Sequence, residues 1–408
     1  MDFDDSPEEQ AYRAEVRSFL DANAAPKTDS SLADSYYAKA PGAGEESQHV
    51  KLCKQWQHLL YDNGWAGIAW PKAYGGRGET ARHQGIFNQE QARYDVHAGI
   101  FSVGIGMTGP TLIAHGTEEQ KQRYLRPMLA GDDVWCQLFS EPGAGSDLGG
   151  LRTTAVRDGD EWVVNGQKVW NSGAQYSDWG ILLTRSDPDV PKHRGITYFV
   201  VDMGSAGVDV RPLRQITGAA HFNEVFLTDV RIPHDNIIGQ VNAGWGPMMT
   251  TLANERTLIG SSQSMVTFDD IVAFARNQGV AGDPTIRQEL IRQLSYAETI
   301  KYLGYRTQTA ASRGKMPGPE SSVIKLAASR RLEHQGNLVM SIAGASGMLW
   351  EKSAHLGGFW QNQFLGQWMS RIGGGTDQIQ RNTIGEKVLQ LPPEPRVDKG
   401  IPFKDVPK

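Results

Sequence analysis

The spacing of apolar residues changes twice along this chain. Near the N-terminus, "SPEEQAYRAEVRSFLDA" has helical spacing, with Ser6 as the N-cap, Glu8 and Glu9 in the first turn, and Phe19 and Leu20 on the apolar face. "KLCKQWQHLLYDNGW" has the same period and predicts a helix that stops at Asn63-Gly64. "HGTEEQKQRYLRPMLAGDD" predicts another, from Thr117 as N-cap to Gly131. From about 135 to 240 the pattern shortens to apolar runs rich in Val, Ile, Phe and Thr: "EWVVNGQKVW", "WGILLTRS", "GITYFVVDM" and "NEVFLTDVRIP". Asn165-Gly166 inside the first run predicts a hairpin turn. With no helices between the strands, an antiparallel sheet is expected rather than a doubly wound one. Helical spacing returns at about Gly244 and lasts to about Leu391, and the proline-rich tail "LPPEPRVDKGIPFKDVPK" predicts an extended arm.

The expected fold class is therefore α+β. It comprises an N-terminal helical domain (1–134), a middle antiparallel β domain (135–242), a C-terminal helical bundle (243–392) and an extended tail (393–408). A chain of 408 residues suits two or three cores better than one. Composition narrows the class. Charged residues make up 21% and the formal charge is −5, which argues against a nucleic-acid protein. The two cysteines, Cys53 and Cys136, lie far apart, which argues against a disulfide framework or a cysteine-built zinc site. The histidines show no metal-ligand spacing, so no metal is expected. The N-terminus is acidic where a signal peptide would be basic and then apolar, and no apolar run is long enough to cross a bilayer. A cytoplasmic protein is expected.

Two glycine loops and one helix carry the candidate chemistry. "SEPGAGSDLGG", Ser140 to Gly150, lacks the sixth-position glycine of a dinucleotide fingerprint, since that position is Leu148. It reads either as a surface turn or as a ligand loop, with Ser140 and Ser146 beside bare backbone at Gly145. Trp170, with Asn171 and Ser172, ends a strand and is either core or one wall of a flat cofactor. "RIGGGTDQIQ" is a second place where backbone can approach a ligand closely. On the helix "GPMMTTLANERTLIG", Met248, Leu252, Glu255 and Ile259 share one face, widened by Leu258. Glu255 therefore sits where an apolar residue is expected, and desolvation there raises a carboxyl pKa toward the range of a general base. The structural alternative is a Glu255 paired with an arginine from another helix, such as Arg371.

Taken together, "SEPGAGSD", "NGQKVWNSGAQYSDW", "FNEVFLTDVRIPHDNIIG" with "AGW", and "GGGTDQIQRNTIGEKVL" resemble the acyl-CoA dehydrogenase family, in order and across nearly the whole chain. The resemblance implies FAD and α,β-dehydrogenation of an acyl-CoA thioester, with hydride passing to flavin N5. By position it places Phe139, Ser140, Gly145, Ser146, Trp170, Ser172, Thr376 and Gln378 at the cofactor. It places Ser146, Asn254 and Arg256 at the substrate. Arg287 takes the place of the family's flavin-clamping arginine, and Gly344 lies in "SIAGASG", which departs from the family's glutamine and paired glycines. Many members carry the catalytic glutamate at the position of Gly374. This chain has none there, and Glu255 matches the position used by the isovaleryl-type, long-chain-type and actinobacterial steroid-side-chain members. The Gly374 backbone N–H is left to polarise the thioester carbonyl. The resemblance further implies an electron-transfer flavoprotein as acceptor, a role in lipid or steroid catabolism, and a homo-oligomer such as a tetramer. A branched or bulky acyl group, a flavin-dependent oxidase on the same fold, and one subunit of a heteromeric enzyme remain open.

Overall fold

In the computed structural model, residues 5–28, 44–261, 266–312 and 318–407 are described. Among the described residues, five helices open the chain: α1 (Pro7–Asn23), α2 (Glu45–Asp62), α3 (Ala81–Gln91), α4 (Gly109–His115) and α5 (Glu118–Ala130). Their ends follow the expected caps. Ser6 and Glu9 form a reciprocal capping box on α1, Thr117 and Gln120 form another on α5, and Gly131 closes α5 at φ +89°. One core joins Tyr12, Val16 and Leu20 of α1 to Trp56, Trp65, Ile68 and Ile86. The sequence pattern did not single out α4, which is preceded by a glycine-bearing π-helical turn at Gly104–Thr108 and itself opens on Gly109. The glycines there serve close packing: a Cβ on Gly109 would strike the ring of Trp70, and one on Gly106 would strike Leu258.

Seven strands follow: β1 (Trp135–Leu138), β2 (Thr154–Asp158), β3 (Glu161–Val169), β4 (Trp179–Arg185), β5 (Ile196–Asp202), β6 (Val208–Leu213) and β7 (Phe222–Pro233). The sheet is antiparallel through β2–β3–β7–β6 and β4–β5, but β1 joins β4 in parallel, Trp135 opposite Trp179. The expected hairpin at Asn165-Gly166 does not exist. Those residues lie inside β3, where the register against β7 shifts between Val164 and Gly166. The turn falls instead between Asp158 and Glu161. Pairing with the long β7 keeps β3 continuous through the Asn-Gly pair, with a bulge in place of a turn. The bulge is stitched by Asn165, whose Nδ2 donates to Asp229 Oδ1 at 2.9 Å and whose Oδ1 accepts from Asp229 N at 2.8 Å. Gly166 is needed there because a Cβ would collide with Thr153.

One face of the sheet, with Trp135, Ile181 and Tyr198, packs against Leu112 of α4, Met128 of α5 and Met248 of the next helix. The opposite face closes its own core around Trp162, Leu182, Phe199 and Val225. The C-terminal bundle comprises α6 (Trp245–Ser261), α7 (Phe268–Asn277), α8 (Pro284–Ser312), α9 (Ser321–Ala343), α10 (Phe359–Ile372) and α11 (Asp377–Thr383). Its core gathers Ile271, Phe274, Leu338, Val339, Phe359 and Trp360. The helix expected to continue past Ser261 through Met265 runs outside the described residues. The tail is no free arm: it turns at 397–400, closes a 3₁₀ turn at Phe403–Asp405 and packs back on the sheet, with Phe403 buried. Among the described residues, no helix is long and apolar enough to cross a membrane.

Candidate active site

Helix α6 is fixed between the N-terminal helices and the sheet by hydroxyls. Thr251 is fully buried, and its Oγ1 lies 2.8 Å from Thr111 Oγ1 on α4 and 2.9 Å from the Tyr198 hydroxyl on β5. The adjacent Thr250 Oγ1 lies 2.8 Å from His115 Nε2. Glu255 follows Thr251 by one turn. Met248 is fully buried and Leu252 packs on the same core, so Glu255 interrupts an apolar face as the spacing predicts. The side chain of Ile259, the last member of that stripe, lies outside the described residues.

Burial pushes the Glu255 carboxyl above the ordinary carboxylate range, although solvent still reaches the residue. A hydrogen bond from Gln137 on β1 and the charge of Arg256 oppose the rise without cancelling it. The structural alternative names the wrong partner. Arg371 bonds Asp377 Oδ2 at 3.2 Å and Glu333 Oε1 at 2.7 Å instead. Asn254, half-buried, turns its Nδ2 back to the Thr250 carbonyl at 2.9 Å.

Gln137 links this carboxylate to the sheet's exposed tryptophan. The Gln137 carbonyl accepts from Asn171 Nδ2 at 2.7 Å, and Asn171 exchanges backbone hydrogen bonds with Asn223 at 3.0 and 3.1 Å. This clasp holds the preceding residue, Trp170, at φ +63° with 62% of its surface exposed. A left-handed backbone at a bulky residue is strained, and a tryptophan this open on a folded core has a face to offer a ligand. Ser172, two residues on, is exposed beside it.

The loop Ser140–Gly150 runs out from the end of β1. Phe139 is buried against Tyr198, and the Ser140 carbonyl accepts from Val169 N at 2.9 Å. Behind the loop lies an ion pair with no counterpart in the sequence expectations. Lys168, fully buried, donates to Glu141 Oε1 at 2.8 Å and to the Phe139 carbonyl at 3.1 Å. Glu141 also accepts from Arg152 N at 2.6 Å and Thr153 N at 2.8 Å. Glu141 is thus spoken for inside the fold, while Gly143, Gly145 and Ser146 are exposed, with open space where a Cβ on either glycine would stand.

The second glycine loop has a similar construction. Gly374 and Gly375 take φ +63° and +85°, which only glycine adopts freely. Asp377, just beyond, is 1% exposed and is held by Ser329 Oγ at 2.6 Å, Lys325 Nζ at 3.5 Å and Arg371 Nε at 3.2 Å. Gln380 Nε2 ties the Gly374 and Gly375 carbonyls from below at 3.2 and 3.3 Å. Thr376 caps α11 through Ile379 N at 3.1 Å, and Gln378 is exposed. Arg287, in the first turn of α8, and Gly344, at φ +54° after α9, both lie exposed on the surface of the bundle rather than in the group that Gln137 joins.

A helical domain, a sheet and a helical bundle in this order form an acyl-CoA dehydrogenase fold. Family models agree along the length of the chain: acyl-CoA dehydrogenase N-terminal domain over 6–132, middle domain over 136–230 and C-terminal domain over 242–389. The chain belongs to the acyl-CoA dehydrogenase family, whose members are oxidoreductases acting on acyl-CoA. It is 36% identical to acyl-CoA dehydrogenase IpdE1 of Mycobacterium tuberculosis, over 94% of this chain and 98% of that one. It is 38% identical to acyl-CoA dehydrogenase FadE34 of the same organism over 82% of this chain, which spans 46% of that longer protein. Among solved structures, the Tcur3481-Tcur3483 steroid ACAD superposes with a TM-score of 0.83 at 29% identity, covering 97% of this chain and all of that one. The ChsE4-ChsE5 complex of Mycobacterium tuberculosis gives 0.77 at 30% identity, with 97% of this chain and 100% of that one covered.

Proposed function

We propose that this chain removes the α proton of an acyl-CoA thioester with Glu255 in an α,β-dehydrogenation. The observation that carries this reading is the Glu255 carboxyl, raised by burial on an apolar helix face, with a neutral amide rather than an arginine on its oxygens. A base so placed takes up a proton more readily than an ordinary carboxylate, and the Gln137 hydrogen bond holds its orientation. The carbon acid must itself be activated. The Gly374 N–H, in a loop fixed from below by Gln380, is the donor assigned to the thioester carbonyl. Asn254 and Arg256 flank the base and are assigned to the substrate.

The residues fit FAD. Trp170 offers an open aromatic face, Gly143 and Gly145 present exposed bare backbone with open space before it, and the Ser140, Ser146, Ser172, Thr376 and Gln378 side chains supply polar edges. When bound there, FAD supplies the acceptor for the β hydrogen as hydride. A glycine in place of a side chain at 374 leaves room beside the reacting carbons, which favours a branched or ring-bearing acyl group. The similarity to a steroid ACAD supports that choice. An electron-transfer flavoprotein is the assigned acceptor. A heteromer is favoured over a homotetramer by the altered "SIAGASG" segment and by the likeness to a two-protein complex.

Anaerobic titration of the FAD-loaded protein with straight, branched and ring-bearing acyl-CoAs tests the reading. Bleaching of the flavin is expected in the wild type, with Glu255→Gln slowed by roughly 10²–10⁴-fold. A variant that bleaches at the wild-type rate removes Glu255 from the mechanism.

A further inference from the structure

The C-terminal segment is bound to the loop before β5 by main chain and side chain alike. Phe403 N donates to the Val190 carbonyl at 2.9 Å, Lys404 N donates to the Pro188 carbonyl at 3.0 Å, and Pro402 bridges Pro191. Phe403 is 8% exposed, and the Arg185 guanidinium lies 3.9 Å over its ring. That same guanidinium donates to the Gly149 and Lys192 carbonyls, each at 2.6 Å. Lys192 in turn bridges two segments, pairing with Asp147 at 2.9 Å and with Asp398 of the tail. The tail is therefore clamped to the loop that carries Ser146.

Between these segments lies a small cleft of about 60 Å³, lined by Lys192, His193, Arg396, Asp398 and Lys399. Lys192 is committed to its two carboxylates. Arg396 and Lys399 are exposed and, among the described residues, have no carboxylate within ion-pair distance. The edge of His193 meets Trp245 at 4.4 Å between ring centres. Trp245 is the first residue of α6, and Glu255 follows ten residues later, about 15 Å along the axis at the usual helical rise. A cationic cleft thus stands at one end of the helix and the carboxylate stands toward the other, with Ser146 beside the cleft. A thioester substrate whose phosphates are separated from its reacting carbons by a pantetheine arm has this layout.

We propose that the C-terminal segment is part of the substrate site, with Arg396 and Lys399 binding the phosphate groups of the coenzyme A handle in this cleft. The proposal rests on the acyl-CoA reading for the identity of the ligand, but its test needs no turnover. Calorimetry of the full chain with an acyl-CoA and with the matching acyl-pantetheine, which lacks the nucleotide phosphates, measures the contribution of the handle directly. The wild type is expected to prefer the acyl-CoA. In the Arg396→Ala, Lys399→Ala double variant, that preference should fall about fivefold, on the scale of two partly solvated charge pairs, with the acyl-pantetheine Kd unmoved. Phe403→Ala, which releases the strap from Arg185, should lower the same ratio, and Phe403→Trp should restore it. Equal wild-type affinity for the two ligands, or an unchanged ratio in the double variant, overturns the proposal. Because both surface changes leave the core intact, that result stands even if the Phe403 variant fails to fold. A normal binding ratio with no flavin bleaching would instead count against the dehydrogenation reading alone.

Discussion

The two glycine loops do the same work with opposite anchoring. Each presents bare backbone outward and ties itself down through a buried carboxylate a residue or two from its glycines. In the sheet loop, Glu141 has one cation, Lys168, and both are sealed from solvent. In the bundle loop, Asp377 shares Lys325, Arg371 and the Ser329 hydroxyl, and Arg371 holds Glu333 as a reserve. A one-to-one buried pair is all or nothing, because the loss of either member strands the other. A shared carboxylate degrades in steps. The loop that continues into the sheet's core thus depends on a single ion pair, backed by the Arg152 and Thr153 backbone N–H groups on Glu141, and the loop at a helix end shares its carboxylate among several cationic and hydroxyl partners.

The largest effect is expected at the single ion pair. Lys168→Met leaves Glu141 charged and without its cation inside the fold, a loss of about 3–5 kcal/mol. Thermal melting should show it, and adding Glu141→Gln should recover most of it by removing the stranded charge. A shift of under about 2 °C, less than 1 kcal/mol for a chain of this size, would show that the pair is dispensable.

The shared network should yield less. In Asp377→Asn, Ser329 keeps an acceptor, Arg371 keeps Glu333, and Lys325, which burial already pushes toward its neutral form, keeps an amide oxygen in reach, so the expected cost is about 1.5–3 kcal/mol, the range for hydrogen bonds to charged groups. Burial pushes the Asp377 carboxyl up, but the Ser329 hydrogen bond and the Lys325 and Arg371 charges outweigh it and leave the group below its ordinary range. A depressed carboxyl stabilises the fold above its unfolded pKa and ceases to do so as the pH falls through its folded one. The melting gap between wild type and variant should therefore be flat from neutral pH down to the ordinary carboxylate range and close below it. A gap that widens in acid would assign the stabilisation to some other group.

The same contrast separates what the sequence made legible from what it did not. Ser6, Thr117 and Gly131 were readable because a cap is closed by residues three or four positions away. Glu255 was readable because helical spacing puts it among apolar neighbours on its own helix. Asn165-Gly166 was misread because local turn preference lost to pairing with β7, more than fifty residues on. Lys168 gave no signal, since a lysine in a strand reads as solvated, and its partner Glu141 is set by the fold. Gln137 belongs to the same class. Its role depends on β1 lying beside α6, a neighbour that no periodicity in either segment announces. The glycine-rich π turn before α4 was passed over because its glycines serve contacts with Trp70 and Leu258, both distant in sequence.

The smallest effect bears on the carboxylate of α6, Glu255. Among the described residues Glu255 has no ion pair; the Gln137 amide and the nearby charge of Arg256 oppose the effect of burial, which still leaves its pKa raised. The sign of its linkage is therefore opposite to that of Asp377. A raised carboxyl binds its proton more tightly in the folded state, so it supports the fold in acid and loses that support as the pH climbs through the folded pKa. Glu255→Gln, which never ionises, should gain on the wild type between acid and mildly alkaline pH. The gain should be smaller than either anchor effect, under about 1 kcal/mol for a carboxylate that solvent still reaches. Paired melts at pH 4.5 and pH 8 decide the matter. A variant that falls behind the wild type at the higher pH would mean that Glu255 is held ionised by a structural cation, and its claim as a proton acceptor would go with that finding.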